Sequence, residues 1–174
     1  MRTKDHSRGH GGYGDAPEEP WSEIVPGLWM GGHEYIGADG MWTEAVVVDE
    51  FDAVYSLHNR EGHGPADGVD HHVLEVPDDA LTAEQIRAVE EFAAAAQRDF
   101  AARRLVLVRC RAGMNRSGLV VASVLIRSGF TPRDAIATIR RQRAARALNN
   151  EHFVAYLETG LDLAAQLTGL GAAE

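Results

Sequence analysis

Four consecutive apolar residues, Leu105-Val106-Leu107-Val108, run into Arg109-Cys110-Arg111-Ala112-Gly113-Met114-Asn115-Arg116-Ser117-Gly118 and then into an apolar segment reaching about Arg127. This order constrains the chain to a strand covered on both faces, a tight loop, and a helix. Leu119, Val120, Ala122, Ser123 and Ile126 have helical spacing, diluted by β-branched residues. A loop that enters a helix N-terminus gathers backbone N–H groups and the positive end of the helix dipole in one concavity. Such a concavity favours an oxyanion, and a thiolate over a thiol. Cys110 then reads as a nucleophile. Arg116 can hold two equatorial phosphate oxygens with its planar fork, and Ser117 can donate a hydrogen bond to the sulfur. Gly113 and Gly118 permit angles and close approaches that a Cβ forbids. Cys110 as a small core residue is the competing reading. Arg116, Ser117 and the two glycines at these spacings outweigh it.

Composition bounds the rest. The 174 residues suggest one domain large enough for a substantial core. The net charge of −9 argues against general affinity for nucleic acid or anionic membranes, and partners of those kinds are not expected. The single cysteine excludes an internal disulfide framework and fits a cytoplasmic setting. No stretch approaches the ~18 apolar residues of a membrane helix, and no apolar signal core stands at the N-terminus.

In chain order, residues 1–20 read as a disordered tail rich in Gly, His, Arg and acids, with His6 and His10 solvated. Residues 21–167 form the folded domain, and the end from Thr168 to residue 174 is expected to fray. Trp21 to Gly32 reads as two short strands around Pro26-Gly27, with Trp21 and Trp29 as core anchors. An acidic, Gly-containing segment leads to a strand over Phe51–Leu57 and another over Val69–Val76. His71 and His72 point to opposite faces of that strand and do not readily share a metal. Pro77-Asp78-Asp79-Ala80-Leu81 is a turn, followed by a Thr82-x-x-Gln85 capping box that starts a helix reaching about Ala101. Thr131 caps and Pro132 opens a further helix whose face of Ala135, Ile136, Ile139 and Gln142 turns inward. The run Arg140-Arg141-Gln142-Arg143-Ala144-Ala145-Arg146 reads as a solvated basic face. A last helix extends through Leu167.

Cys110 to Ser117 resembles the His-Cys-X5-Arg-Ser/Thr signature of the cysteine-dependent protein tyrosine phosphatases, specifically their compact dual-specificity-like branch. Arg109 stands where that family has His. The resemblance extends from Trp21 to about Leu157. It implies an α/β fold with a central mixed sheet of about four or five strands flanked by helices, the site lying at a strand's carboxyl end. It also implies an aspartate, upstream on a loop after a strand, that protonates the leaving oxygen and later activates water. Asp78 and Asp79 both fit, with Asp78 preferred; as residue types both also suit turns and caps.

The expected activity is phosphomonoester hydrolysis through a cysteinyl-phosphate, of the protein tyrosine or dual-specificity type. Cys110, Arg116 and Asp78 or Asp79 are catalytic, and Arg111, Ala112, Gly113, Met114, Asn115 and Ser117 bind the phosphate. No metal or cofactor is required, because Arg116 and the loop dipoles supply the positive field. The partner is a phosphorylated protein or a small phosphomonoester. A phosphoinositide or RNA 5′-phosphate substrate, a catalytically weak phosphate-binding module, and a sulfur-transfer or arsenate-reducing enzyme are the alternatives.

Overall fold

The computed structural model describes residues 16–172. Its elements are β1 (Trp21–Val25), β2 (Leu28–Gly32), β3 (Glu34–Ile36), β4 (Trp42–Glu44), β5 (Ala53–Ser56), β6 (Asp70–Val73), α1 (Ala83–Ala101), β7 (Val106–Cys110), α2 (Arg116–Arg127), α3 (Pro132–Gln142), α4 (Glu151–Thr159) and α5 (Leu161–Gly171). Five strands make the central sheet in the order β1-β2-β7-β5-β6, antiparallel between β1 and β2 and parallel elsewhere. This is the mixed α/β sheet that the sequence predicts.

β7 occupies the centre, and all five of its residues are buried. Its side chains alternate between two unequal cores. Val106, Val108 and Cys110 join the main core, where Ile86 and Val89 of α1, Leu119 and Val120 of α2, Ile139 of α3, Phe153 of α4 and Ala164 of α5 also pack. Leu107 turns the other way, into a small cluster with Val47, Phe51 and Val54. Trp21 and Trp29 close that cluster, each edge-on to Phe51 at 5.5 and 5.8 Å. The helices therefore contribute to one face of the sheet. Irregular chain covers the other, and its peptide groups need partners that no helix or strand ladder supplies. Arg109 faces that side by the same alternation.

Local signals account for the helix starts. Thr82 Oγ1 accepts from Gln85 N at 3.2 Å and Gln85 Oε1 accepts from Thr82 N at 2.9 Å, the reciprocal capping box. Thr131 caps α3 through Asp134 N, with Pro132 in its first turn. As alternation predicts, His71 and His72 diverge. His71 Nε2 meets Ser56 Oγ at 2.9 Å, and the His72 ring stacks on Tyr55.

The structure departs from the sequence reading at several places. The single last helix is two, because Gly160 adopts a φ of 93° between α4 and α5. Helix α5 then runs to Gly171, beyond the expected fraying point at Thr168. The acidic segment after β2 contains the β3–β4 hairpin, whose three-residue strands are too short for a periodic signal. Gln142 is exposed, and its neighbour Arg143 is the buried residue.

Residues 16–20, placed in the tail by composition, are held by hydrogen bonds. Pro17 O accepts from Ile36 N at 2.9 Å, and Glu19 O from Arg143 Nη1 at 2.8 Å. The readings for residues 1–15, His6 and His10 included, and for 173–174 lie outside the described residues. Among the described residues no helix is long and apolar enough to cross a membrane.

Candidate active site

Cys110 ends β7, and after five intervening residues Arg116 begins α2. Every carbonyl from Cys110 to Met114 has a donor waiting on the outside of the loop. His33 N donates to Cys110 O and Arg111 O at 3.1 and 2.8 Å, and Glu34 N donates to Arg111 O at 3.2 Å. Arg143 Nε donates to Gly113 O at 3.1 Å and its Nη2 to Ala112 O at 3.5 Å. Leu148 N donates to Met114 O at 3.1 Å. In a planar trans peptide the N–H lies opposite its C=O. Turning these five carbonyls outward therefore turns the N–H groups of Arg111 to Asn115 toward the inside of the loop. That is an anion cradle built from carbonyl partners, and it opens on a helix N-terminus.

Glycines make the wrap possible. Gly113 adopts a φ of 68°, and a Cβ there would sit 2.4 Å from Gly31 C and 2.6 Å from Gly31 O. A Cβ on Gly32 would sit 2.6 Å from Arg111 O. β2 thus presents bare backbone to the loop, and no larger residue fits either position without moving the main chain.

Cys110 is buried, with Sγ 3.4 Å from Ser117 Oγ. Arg116 Nη1 donates to Val76 O at 3.3 Å, which ties the helix start to the segment carrying Asp78. Its Nε is buried without a partner among the described residues. Asp78 itself reaches the loop: Oδ2 accepts from Asn115 Nδ2 at 3.1 Å, and Oδ1 from Asn150 Nδ2 at 2.9 Å. Asp79 does not. Its Oδ1 accepts from the neighbouring Ala80 N at 2.7 Å, closing a turn. Arg111 points outward, exposed, with Nε 3.5 Å from Glu34 Oε2. Met114 packs partly into the main core.

Three further residues shape the site; of these only Arg109 carries a local sequence signal, as a departure from the resembling signature. Arg143 holds two carbonyls of the cradle and is buried, where the basic run reads as solvated. Burial pushes its guanidinium down to about 10, so it remains a cation at neutral pH. Arg109 is fully buried and donates from Nε to Ser56 Oγ at 2.9 Å, from Nη1 to His63 O at 2.8 Å and from Nη2 to Gly64 O at 2.6 Å. It too is pushed down to about 10 by burial. His33 links the two arginines' territories. Its Nε2 meets His58 O at 2.7 Å, its ring packs edge-on to His63, and its Nδ1 is buried without a partner among the described residues. Burial, opposed by the His58 carbonyl and reinforced by Arg109, lowers His33 to about 4.

No metal is placed in this arrangement: among the described residues no group of three or more His, Cys, Asp and Glu could hold one. A shallow cavity of about 250 Å³ adjoins the cradle, walled by Pro17, Trp42, Ala112, Met114 and Arg146. A larger one of about 580 Å³, lined by Pro26, Phe100 and Arg104, lies at the far end of the strands, away from Cys110.

No protein-family model matches the sequence, and no curated protein matches it. Solved structures do match. Human DUSP28 superposes with a TM-score of 0.65 at 19% identity, over 87% of this chain and 99% of that one. A mouse dual specificity phosphatase, complexed with zinc tungstate, gives 0.61 at 24% identity, over 94% and 96%. PTPMT1 in complex with PI(5)P gives 0.57 at 18%, over 88% and 99%. The chain has the fold of the cysteine-based tyrosine phosphatase superfamily, in its compact dual-specificity form.

Proposed function

We propose that this protein is a phosphomonoester hydrolase that works through a cysteinyl-phosphate intermediate, with phosphorylated tyrosine, serine or threonine of a protein as substrate. The observation that carries the reading is the cradle. The N–H groups turned inward by the outward-held carbonyls and an α2 N-terminus without a side-chain cap line the loop that Cys110 opens and Arg116 closes, and Asp78 is fastened to the rim. The superfamily fold supports the same conclusion.

In the first step the Cys110 thiolate attacks phosphorus, and the bond from phosphorus to the substrate oxygen breaks. That oxygen takes its proton from Asp78. The inward N–H groups and Arg116 hold the equatorial oxygens as charge redistributes, in a site that needs no reorganisation at that moment. In the second step water attacks phosphorus and gives its proton to the Asp78 carboxylate. The sulfur–phosphorus bond breaks, inorganic phosphate leaves, and Ser117 donates to the departing sulfur. Each step balances without a metal or redox partner.

Asp78 and Asp79 test the assignment directly. Removing a general acid–base costs about 10²–10⁴-fold in rate. Asp78→Ala is expected to lose that much. Asp79→Ala is expected to lose less than about threefold, since its carboxylate only closes a turn. The reverse pattern would transfer the role to Asp79. Phosphopeptides and a phosphoinositide such as the one bound to PTPMT1 should be assayed side by side, because the fold alone accommodates both.

A further inference from the structure

Asp78 is not placed by its own loop. Two amides from distant segments hold it, and the orientation of each amide is fixed by backbone donors. Asn115 Oδ1 accepts from Asn150 N at 3.1 Å. Asn150 Oδ1 accepts from His152 N at 3.0 Å and Phe153 N at 3.4 Å, capping α4. With both amide oxygens committed to N–H groups, only the NH2 ends remain for Asp78. Flipping either amide would set oxygen against carboxylate and strand a backbone N–H.

A second observation points the same way. Asn115 stands at the N-cap of α2, where Asn ordinarily accepts from the helix N–H groups, yet it makes no cap there. Its φ and ψ are −99° and −61°, and its side chain is turned instead to Asp78 and Asn150. Turned away, it leaves the first N–H groups of α2 to an anion.

We propose that Asn115 and Asn150 are positioning residues for the acid–base step: they hold the Asp78 carboxyl at the rim of the phosphate cradle, one amide on each oxygen. The inference rests on the reading of Asp78 given above. One donor on each oxygen occupies one lone pair and leaves another for the transferred proton. The clamp therefore fixes the carboxyl without blocking either role. It also joins the phosphate loop, the Asp78 turn and the start of α4 into one unit, so that the acid moves with the cradle.

The test uses the full chain and a series of aryl phosphates running from an acidic phenol, which leaves unaided, to unsubstituted phenol, which needs a proton. The variants are Asn115→Ala and Asn150→Ser; the serine keeps a cap for α4 and cannot reach Asp78. For phenyl phosphate, kcat/KM is expected to fall about 30–100-fold, the scale of a small misplacement of a catalytic group. For the most acidic phenol Asn150→Ser should cost less than about threefold, with inhibition by orthovanadate unchanged. In an Asp78→Ala background neither variant should cost anything further. A loss uniform across the series, a weakened vanadate inhibition, or no loss at all would overturn the clamp while leaving the phosphatase intact. A wild-type protein with no Cys110-dependent turnover would overturn the phosphatase reading, and the clamp's role in catalysis with it.

Discussion

Two irregular stretches flank the end of β5 and β7, and each is organised by a buried arginine in a different manner. The loop from Arg111 to Asn115 is short, rich in local constraints, and finished by Arg143 from α3's C-terminus. The connection between β5 and β6 is longer, has few apolar anchors of its own, and is held by Arg109 from the sheet beneath it. Arg143 completes a shape that glycines and a helix start already favour. Arg109 imposes one. Both act by giving carbonyls a donor where neither helix nor strand can, which is the usual fate that backbone acceptors must find when buried. Both are cations among neutral acceptors, and burial lowers both to about 10. The two arginines differ in what they hold: one touches the cradle's own carbonyls, the other the connection between β5 and β6.

Replacing them should separate catalysis from scaffold. Arg143→Met removes the donors to Gly113, Ala112 and Glu19, and is expected to cost about 3 kcal/mol of stability and about 100-fold in kcat/KM, because the cradle itself loosens. Arg109→Met takes the donor from Gly64 O and one of two partners from Ser56 Oγ and His63 O, and should cost a similar ~3 kcal/mol but less than about tenfold in kcat/KM. Arg109→Lys should recover only part of that stability, since one ammonium cannot span three acceptors. Urea unfolding and steady-state rates read both. Equal losses of rate in the two methionine variants would erase the distinction.

His33 lies between the two stretches, and its titration gives a smaller effect. The ring is neutral when folded: Nε2–H faces a carbonyl, and a proton on buried Nδ1 would find no acceptor among the described residues. Its folded value of about 4 lies below the ordinary 6.5, so between those values the unfolded chain binds the extra proton. Stability is therefore full above about pH 6.5 and lost as pH falls toward 4. The contribution is on the order of 3 kcal/mol, and burial moves His58 and His71 in the same direction. His33→Gln keeps a donor for His58 O and should flatten this part of a thermal-melt profile between pH 4 and 7. An unchanged slope would place the titration elsewhere.

The same contrast explains what the sequence showed and what it hid. The strand, loop and helix around Cys110 were legible because their signals are local: an apolar run, glycines, and a Cys and Arg at fixed spacing. Thr82-x-x-Gln85 and Thr131-Pro132 were legible for that reason too. Asp78, preferred over Asp79 for its place after Pro77 in the resembling pattern, bonds to Asn115 and Asn150, whereas Asp79 closes its own turn; which of them is the acid is left to the two alanine variants. Arg143 and Asn150 were hidden because their partners lie 30 and 72 residues away, at carbonyls and carboxylates that no periodicity marks. Arg109 was visible only as a departure from the resembling signature; its partners lie up to 53 residues off. The β3–β4 hairpin and the break at Gly160 were missed because three-residue strands and a single glycine fall below any pattern threshold.

The central claim is that Cys110 in this cradle carries the phosphoryl group. Hydrolysis of a generic aryl phosphate in EDTA, by the wild type and by Cys110→Ser with and without orthovanadate, tests it most directly. The account predicts metal-independent, vanadate-sensitive turnover that falls by about 10⁴-fold or more in the serine variant while phosphate binding persists. Turnover retained by Cys110→Ser, or abolished by EDTA, would contradict it.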